Sequence, residues 1–290
     1  MRILLTGGTG FLGRHLIPMM SEHEVFALTR GRHGGRKWPG NVTWFEANLS
    51  AGLDTARLPK KMDAIIHLAQ SDRFREFPGG AGDMFRVNVE APAALMRWAV
   101  GAGVTRAVFA STGTVYEPFT GLMREDDAIN PTGYYGASKL ATETLTLAYQ
   151  KELAVAQLRV FFLYGPGQEQ MMMARLINSV RKGETLTLPR TGDGLVFVPT
   201  YVTDTARVFK QAAEEAWRGA WNVASPRAVS MAGVFDAIGR ASGLAPKIER
   251  IDAALPQAIV PNLDKIRGMV DIDAFQTLDQ GLAAIVAAGG

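Results

Sequence analysis

Gly7-Gly8-Thr9-Gly10-Phe11-Leu12-Gly13 follows the apolar run Arg2-Ile3-Leu4-Leu5-Thr6, and the reading of these two stretches decides the fold. A short apolar strand that meets three glycines spaced three apart, then a helical pattern, is a strand–turn–helix unit. Glycine allows the tight turn, lets backbone approach a pyrophosphate and permits close helix–strand packing. The helix start beyond it adds free N–H groups for phosphates. The spacing therefore implies a nucleotide cradle; the bland alternative is a plain strand–helix turn. Pro18 falls late in the helix Phe11–Met20, so that helix is expected to be short or kinked.

The same alternation continues outward. Val25–Thr29, Val42–Ala47, Asp63–Ala69, Arg106–Ser111 and Val155–Phe162 read as strands, and Asp83–Ala102 and Tyr134–Leu153 as helices. Continuous apolar strands spaced by helices argue a parallel sheet covered on both faces. Beyond Tyr164-Gly165-Pro166-Gly167 the pattern loosens. Helices at Met171–Lys182, Thr203–Trp217, Ser230–Ala241 and Ala274–Ala288 alternate with short strands at Thr185–Leu188 and Ala220–Val223, which suggests a smaller lobe. Pro78-Gly79-Gly80-Ala81-Gly82 reads as a loop or plain linker.

With 290 residues, 47% of them hydrophobic and 20% charged, the chain is an ordinary globular protein large enough for one domain and a smaller lobe. Net charge is +3, and the one basic cluster is Arg30, Arg32, Arg36 and Lys37, too little for a nucleic-acid partner. Zero cysteines exclude disulfides and Cys-type zinc sites, and no metal is expected. No stretch reaches the roughly 18 apolar residues of a spanning helix, and no leader is visible. A cytoplasmic chain with no membrane partner is expected.

The second strand ends Ala27-Leu28-Thr29-Arg30, where NAD sites place an acidic residue for the ribose hydroxyls. Arginine can bind a 2′-phosphate bidentately, so NADP(H) is preferred here and NAD(H) remains possible. Arg14 could reach the same phosphate. The alternative makes Arg30 and Arg32 solvated loop residues.

Tyr135-Gly136-Ala137-Ser138-Lys139 places Tyr135 and Lys139 on one helix face. A nearby ammonium lowers a phenol from about 10 toward working pH and suits it to exchange a proton with a substrate oxygen. Upstream, Ser111-Thr112-Gly113-Thr114-Val115-Tyr116 ends an apolar strand, where α/β folds bind ligands.

These motifs, with Asp63-Ala64-Ile65-Ile66-His67-Leu68-Ala69, Asn88-Val89, Leu158-Arg159-Val160-Phe161 and Tyr201-Val202-Thr203-Asp204, make the chain similar to the extended short-chain dehydrogenase/reductases, the NAD-dependent epimerase/dehydratase family. The resemblance covers nearly the whole chain. It implies an α/β fold: a Rossmann-type doubly wound parallel sheet with a smaller C-terminal α/β substrate lobe. Residues 1–164 would form the dinucleotide-binding domain, and 165–290 mainly the substrate lobe, with some segments returning to the Rossmann core. By position, Thr112 resembles the catalytic hydroxyl, Tyr135 the acid/base, and Lys139 its activator and ribose anchor. Gly7, Thr9, Gly10, Phe11, Leu12, Gly13, Thr29 and Arg30 would hold the cofactor. Asn48 and Leu49 stand where the family contacts adenine, Leu68 and Ala69 near the adenosine and diphosphate, and Phe162 near the nicotinamide. Gln70, Gly113 and Thr114 are expected on the substrate side, and His67 is read as a satisfied strand residue.

Several family features are missing. Gly113-Thr114 replaces the Asp-Glu that nucleotide-sugar dehydratases carry after the catalytic threonine, which argues against 4,6-dehydration. Phe162 stands where an Asn contacts the sugar-nucleotide diphosphate, and the usual Arg-Asp before Tyr201 is absent. Arg73, Arg175, Arg190 or Arg207 could supply the charge, and Met171-Met172-Met173 could be a substrate wall or a core helix. The leading expectation is an NAD(P)(H)-dependent reductase of a keto-sugar, free or nucleotide-linked. The second is an epimerase with no net redox change, the third a non-catalytic dinucleotide sensor. Family resemblance also implies a homodimer through the helices at 83–102 and 134–153.

Overall fold

The computed structural model describes residues 1–31, 37–254 and 258–289. Arg32 and Arg36 of the basic cluster therefore lie outside the described residues. Strand β1 (Arg2–Thr6) leads through the glycine turn to α1 (Gly13–Leu16), which tightens into a 3-10 turn at Ile17–Met19 around Pro18. Strands β2 (Glu24–Thr29), β3 (Val42–Glu46) and β4 (Ala64–His67) follow. A continuous helical run then comprises α2 (Ala81–Phe85), a π-turn at Arg86–Glu90 and α3 (Ala91–Ala102). Ala81 and Gly82, read from sequence as loop, open this run. Next come β5 (Arg106–Thr112), α4 (Tyr134–Leu147) and β6 (Ala154–Val160). Helix α4 stops short of Leu153 because turns at 148–152 bring the chain back to β6.

The later elements are β7 (Leu163–Tyr164), α5 (Met172–Arg181), β8 (Thr185–Pro189), β9 (Val196–Phe197), β10 (Thr200–Tyr201), α6 (Val202–Glu214), β11 (Gly219–Val223), β12 (Val229–Ser230), α7 (Met231–Ser242), β13 (Lys247–Ile251), α8 (Asp264–Arg267) and α9 (Leu278–Ala287). The chain divides into two compact units. The first holds 1–118, 128–160 and 206–221, the second 119–127, 161–205 and 222–290. Segment 119–127, placed by the sequence reading in the dinucleotide domain, joins the second unit, as do 161–164.

The central sheet has the order β11-β6-β5-β4-β1-β2-β3. Strands β1 to β6 pair in parallel, with Leu4 opposite both Phe26 and Ile65. This is the doubly wound Rossmann arrangement. All four residues of β4 are buried, as expected of a parallel strand covered on both faces. Leu4, Leu28, Ile65, Leu95, Met96, Phe109 and Val155 form one apolar cluster, each such side chain contributing about 1.5–3 kcal/mol. Because β1 lies between β2 and β4, the glycine turn leaves the sheet where successive connections diverge, the place where α/β folds bind ligands.

The second unit pairs β7 with β10 and β8 with β13 in parallel, and β9 with β12 antiparallel. Tyr164, Phe197, Phe235, Ile238 and Leu282 centre its core. A reciprocal cap between Thr277 and Gln280 opens α9.

Candidate active site

The glycine turn is a cradle built by close approach. Gly7 has φ 71°, and a Cβ there would lie 2.7 Å from the Ala69 nitrogen. A Cβ on Gly13 would lie 2.3 Å from the Gly7 carbonyl oxygen, so α1 could not pack against the turn with any larger residue. Leu68 and Ala69, at the end of β4, thus form one wall of the cradle. Thr9, Phe11 and Leu12 line its outer rim, exposed or half-buried. At the end of β2, Thr29 is buried and its hydroxyl has no partner among the described residues. A cradle that a Cβ would fill, beside an orphan hydroxyl, fits a dinucleotide.

Asn48 and Leu49 sit beyond β3. The Asn48 side-chain oxygen accepts from Ser50 N at 3.1 Å, capping a 3-10 turn. One lone pair of that oxygen thus serves the backbone. Arg30, expected to be ready for a phosphate, is ion-paired with Asp72 at 2.9 Å.

At the carboxyl end of β5 the catalytic candidates come together. The Tyr135 hydroxyl donates to Gln70 Oε1 at 2.9 Å and is within hydrogen-bonding reach of Thr112. Thr112 Oγ1 lies 3.0 Å from Thr114 Oγ1 and accepts from Thr114 N at 3.2 Å, which starts the 3-10 turn at Gly113–Tyr116. Lys139 is buried, with Nζ donating to the Ala110 carbonyl at 3.0 Å. From spacing alone the ammonium should draw the phenol down. Instead burial pushes Tyr135 up to about 12, with the Thr112 hydrogen bond pulling weakly the other way. Burial brings Lys139 down to about 8, against the opposing pull of Glu143. Burial is the largest cause of both shifts.

Beneath α4 lies a buried network the motifs did not announce. Glu143 accepts from Ser111 Oγ at 2.5 Å and from Arg159 Nη2 at 2.8 Å. Arg159 also donates to the Tyr116 hydroxyl at 2.6 Å. The signal was present: Tyr135, Lys139 and Glu143 recur every four residues on one face. A second network anchors the helix start. Asn88 in the π-turn donates to Ser138 Oγ at 3.0 Å, accepts from Ser71 N at 3.0 Å, and its carbonyl takes the Thr142 hydroxyl. His67 is buried with Nδ1 2.9 Å from Thr6 Oγ1, and burial lowers it to about 3, so it rests neutral.

The segment after β4 covers the tyrosines. The Phe74 ring lies 5.3 Å from that of Tyr135, and Phe77 stacks on Tyr134 at 5.3 Å. Sequence reasoning missed both. Arg73 holds Glu76 at 2.7 Å and Arg190 holds Asp252 at 2.6 Å, so both already face carboxylates. Arg175 and Arg207 are exposed. Phe162 belongs to the second unit, where its ring packs 4.7 Å from Phe197. In the Met171–Met173 run, Met173 is core and Met171 is exposed. Among the described residues, Glu22, His23 and Glu214 form the one cluster with metal-ligand proximity, and the Lys210 ammonium bridges its two carboxylates. No helix among the described residues is long and apolar enough to cross a membrane.

A family model described as the NAD dependent epimerase/dehydratase family matches residues 3–224. A UDP-glucose 4-epimerase of Azospirillum brasilense is 32% identical over 150 residues, covering 50% of this chain and 43% of that protein, so this match reaches under half of its length. A Bacillus subtilis protein described as an uncharacterized UDP-glucose epimerase, YtcB, is 29% identical and covers 71% of each chain. Among solved structures, MoeE5 in complex with UDP-glucose and NAD superposes with a TM-score of 0.82 at 30% identity, over 100% of this chain and 98% of that one.

Proposed function

Because the chain belongs to the NAD-dependent epimerase/dehydratase family, we propose that it inverts a carbinol carbon of a nucleotide-linked sugar, using bound NAD(H), with no net redox change. The observation that carries this reading is the convergence of the Tyr135, Thr112 and Gln70 side chains at the carboxyl end of β5, beside a glycine cradle fitted to a dinucleotide. The relatives' names, and the UDP-glucose and NAD held by MoeE5, support the sugar-nucleotide and NAD readings over net reduction with NADP(H).

When bound, the nicotinamide supplies a hydride acceptor and then a hydride donor. Gly7, Gly10 and Gly13 admit the diphosphate to the backbone, and the Thr29 hydroxyl is free for the adenosine ribose. Thr112 would hold the reacting sugar oxygen, and Tyr135 would take its proton. Once the keto-sugar has turned its other face, Tyr135 would give the proton back. Resting as a phenol, Tyr135 is ready for the donating half. The accepting half relies on the Thr112 hydroxyl and the Lys139 cation to stabilise a phenolate. Gln70 and Thr114 flank this pair and are assigned to orienting the sugar. Gly113 and Thr114 offer no carboxyl group for eliminating water. The working form is proposed to be a homodimer through α3 and α4.

The test is incubation with NAD and a panel of UDP-hexoses, following product sugars by NMR and the nicotinamide absorbance band. Isomerised sugar without lasting absorbance change is expected, and Tyr135→Phe should lose at least about 100-fold in rate. Stoichiometric reduced cofactor without an isomer would favour a net oxidoreductase. Full activity in Tyr135→Phe would remove the acid/base assignment.

A further inference from the structure

Arg30 is the first residue beyond β2, and Asp72 lies a few residues beyond the end of β4. These strands flank β1, whose carboxyl end carries the glycine cradle. The Arg30 Nη1 to Asp72 Oδ2 contact of 2.9 Å therefore reaches across the cradle from one side of β1 to the other. Beside it is the buried, unpartnered Thr29 hydroxyl. A second carboxylate is near: Glu46, opposite Thr29 in register, lies 3.8 Å from where a Cβ on Gly31 would stand.

We propose that Asp72 sets which dinucleotide the chain accepts, by holding Arg30 and presenting its own negative charge at the adenosine end of the cradle. The proposal rests on the dinucleotide reading of the glycine turn and goes beyond it. Arg30 alone would recruit a 2′-phosphate, which is why the sequence pointed to NADP(H). In the folded chain that phosphate must take the guanidinium from Asp72 while approaching two carboxylates, Asp72 and Glu46. A 2′-hydroxyl meets neither obstacle. It carries no charge, needs no cation, and finds hydrogen-bonding groups in the Thr29 hydroxyl and the Asp72 carboxylate. Both partners of the ion pair are largely exposed, so the pair itself holds weakly and a single substitution should release Arg30. Selectivity at this site therefore resides in Asp72, on the far side of the cradle from β2.

The test measures dissociation constants of NADH and NADPH by fluorescence titration for wild type, Asp72→Asn, Arg30→Ala and the double variant. Wild type should bind NADH more tightly than NADPH. In Asp72→Asn the ratio of the NADPH constant to the NADH constant should fall about tenfold, the sum of a freed guanidinium and a removed like charge. With Arg30→Ala present that fall should shrink to the smaller part left by the removed like charge. An unmoved ratio in Asp72→Asn, a shift of undiminished size without Arg30, or a wild type that prefers NADPH would each overturn the proposal while leaving the cradle intact. If no variant binds either dinucleotide, the cradle reading fails first and takes this proposal with it. Thermal-shift midpoints with each dinucleotide report the same ratio without requiring turnover.

Discussion

Removing the Glu143 carboxylate should cost the protein much of its stability. Glu143 and Arg159 are 2% and 5% exposed at their side chains and meet at 2.8 Å, with a second guanidinium contact at 3.1 Å. Ser111 adds a hydroxyl donor to the same carboxylate. In Glu143→Ala the guanidinium stays buried without its anion, a situation that costs about 3–5 kcal/mol. Domain stabilities are about 5–15 kcal/mol, so the loss would be a large share of the total. With a urea m-value of about 2–3 kcal/mol/M, the midpoint should fall by roughly 1–2 M, read by tryptophan fluorescence and far-UV circular dichroism. Glu143→Gln keeps the shape and an acceptor, and should lose less. It also removes the charge that holds Lys139 up, so Lys139 should drop further below about 8 and the lysine-dependent limb of the rate profile should move to lower pH. A midpoint for Glu143→Ala that matches wild type, or a Glu143→Gln rate profile that overlays it, would refute the reasoning.

Four further outcomes are expected. His67 titrates near 3 in the folded chain and near 6.5 unfolded, so the unfolded chain binds more protons between those values; stability should be full above about pH 6.5 and decline toward pH 3, and His67→Gln should flatten that decline in thermal midpoints measured against pH. Lys139 titrates near 8 folded and near 10.5 unfolded, so wild-type stability should climb between those pH values; Lys139→Met should gain about 1–3 kcal/mol at pH 7 while losing turnover, and a less stable Met variant would contradict the buried-cation account. Gly13→Ala should destabilise by about 1–3 kcal/mol and abolish NADH binding, whereas Gly82→Ala, with nothing within 4 Å, should be neutral or stabilising by up to about 1 kcal/mol in the same unfolding assay. Val100 and Leu145 stand 52% and 46% exposed on α3 and α4, so sedimentation should show a dimer that Leu145→Glu converts to monomer; a monomeric wild type would remove that interface.

What could be read from the chain alone follows from which physics is local. Strand β4, Ala64-Ile65-Ile66-His67, is apolar nearly throughout because helices cover both its faces, and such runs are plain in sequence. Strand β13, Lys247-Ile248-Glu249-Arg250-Ile251, is exposed along its length and lacks a period of two, so it left no trace. The glycine cradle was legible because close backbone approach demands glycine at fixed intervals. The electrostatics were not. Arg30 looked available because its partner Asp72 arrives from another strand, and the Tyr135–Lys139 pair suggested a lowered phenol because spacing carries no information about burial. Glu143 was within reach of a four-residue periodicity, but its partner Arg159 comes from the next strand of the sheet.

The π-turn at Arg86–Glu90 has a consequence for how this chain could change length. A π-turn is an α-helix that has absorbed one extra residue. Deleting any one residue between 86 and 90 would let the run relax to ordinary helix, with α2 and α3 keeping their faces. Leu95, Met96 and Ala99 would still point into the core. Asn88 would lose the widened turn that aims its amide at Ser138 and its carbonyl at Thr142. The shortened chain should therefore fold and fail to work: at this one place in the sequence, the requirements of architecture and of chemistry come apart by a single residue.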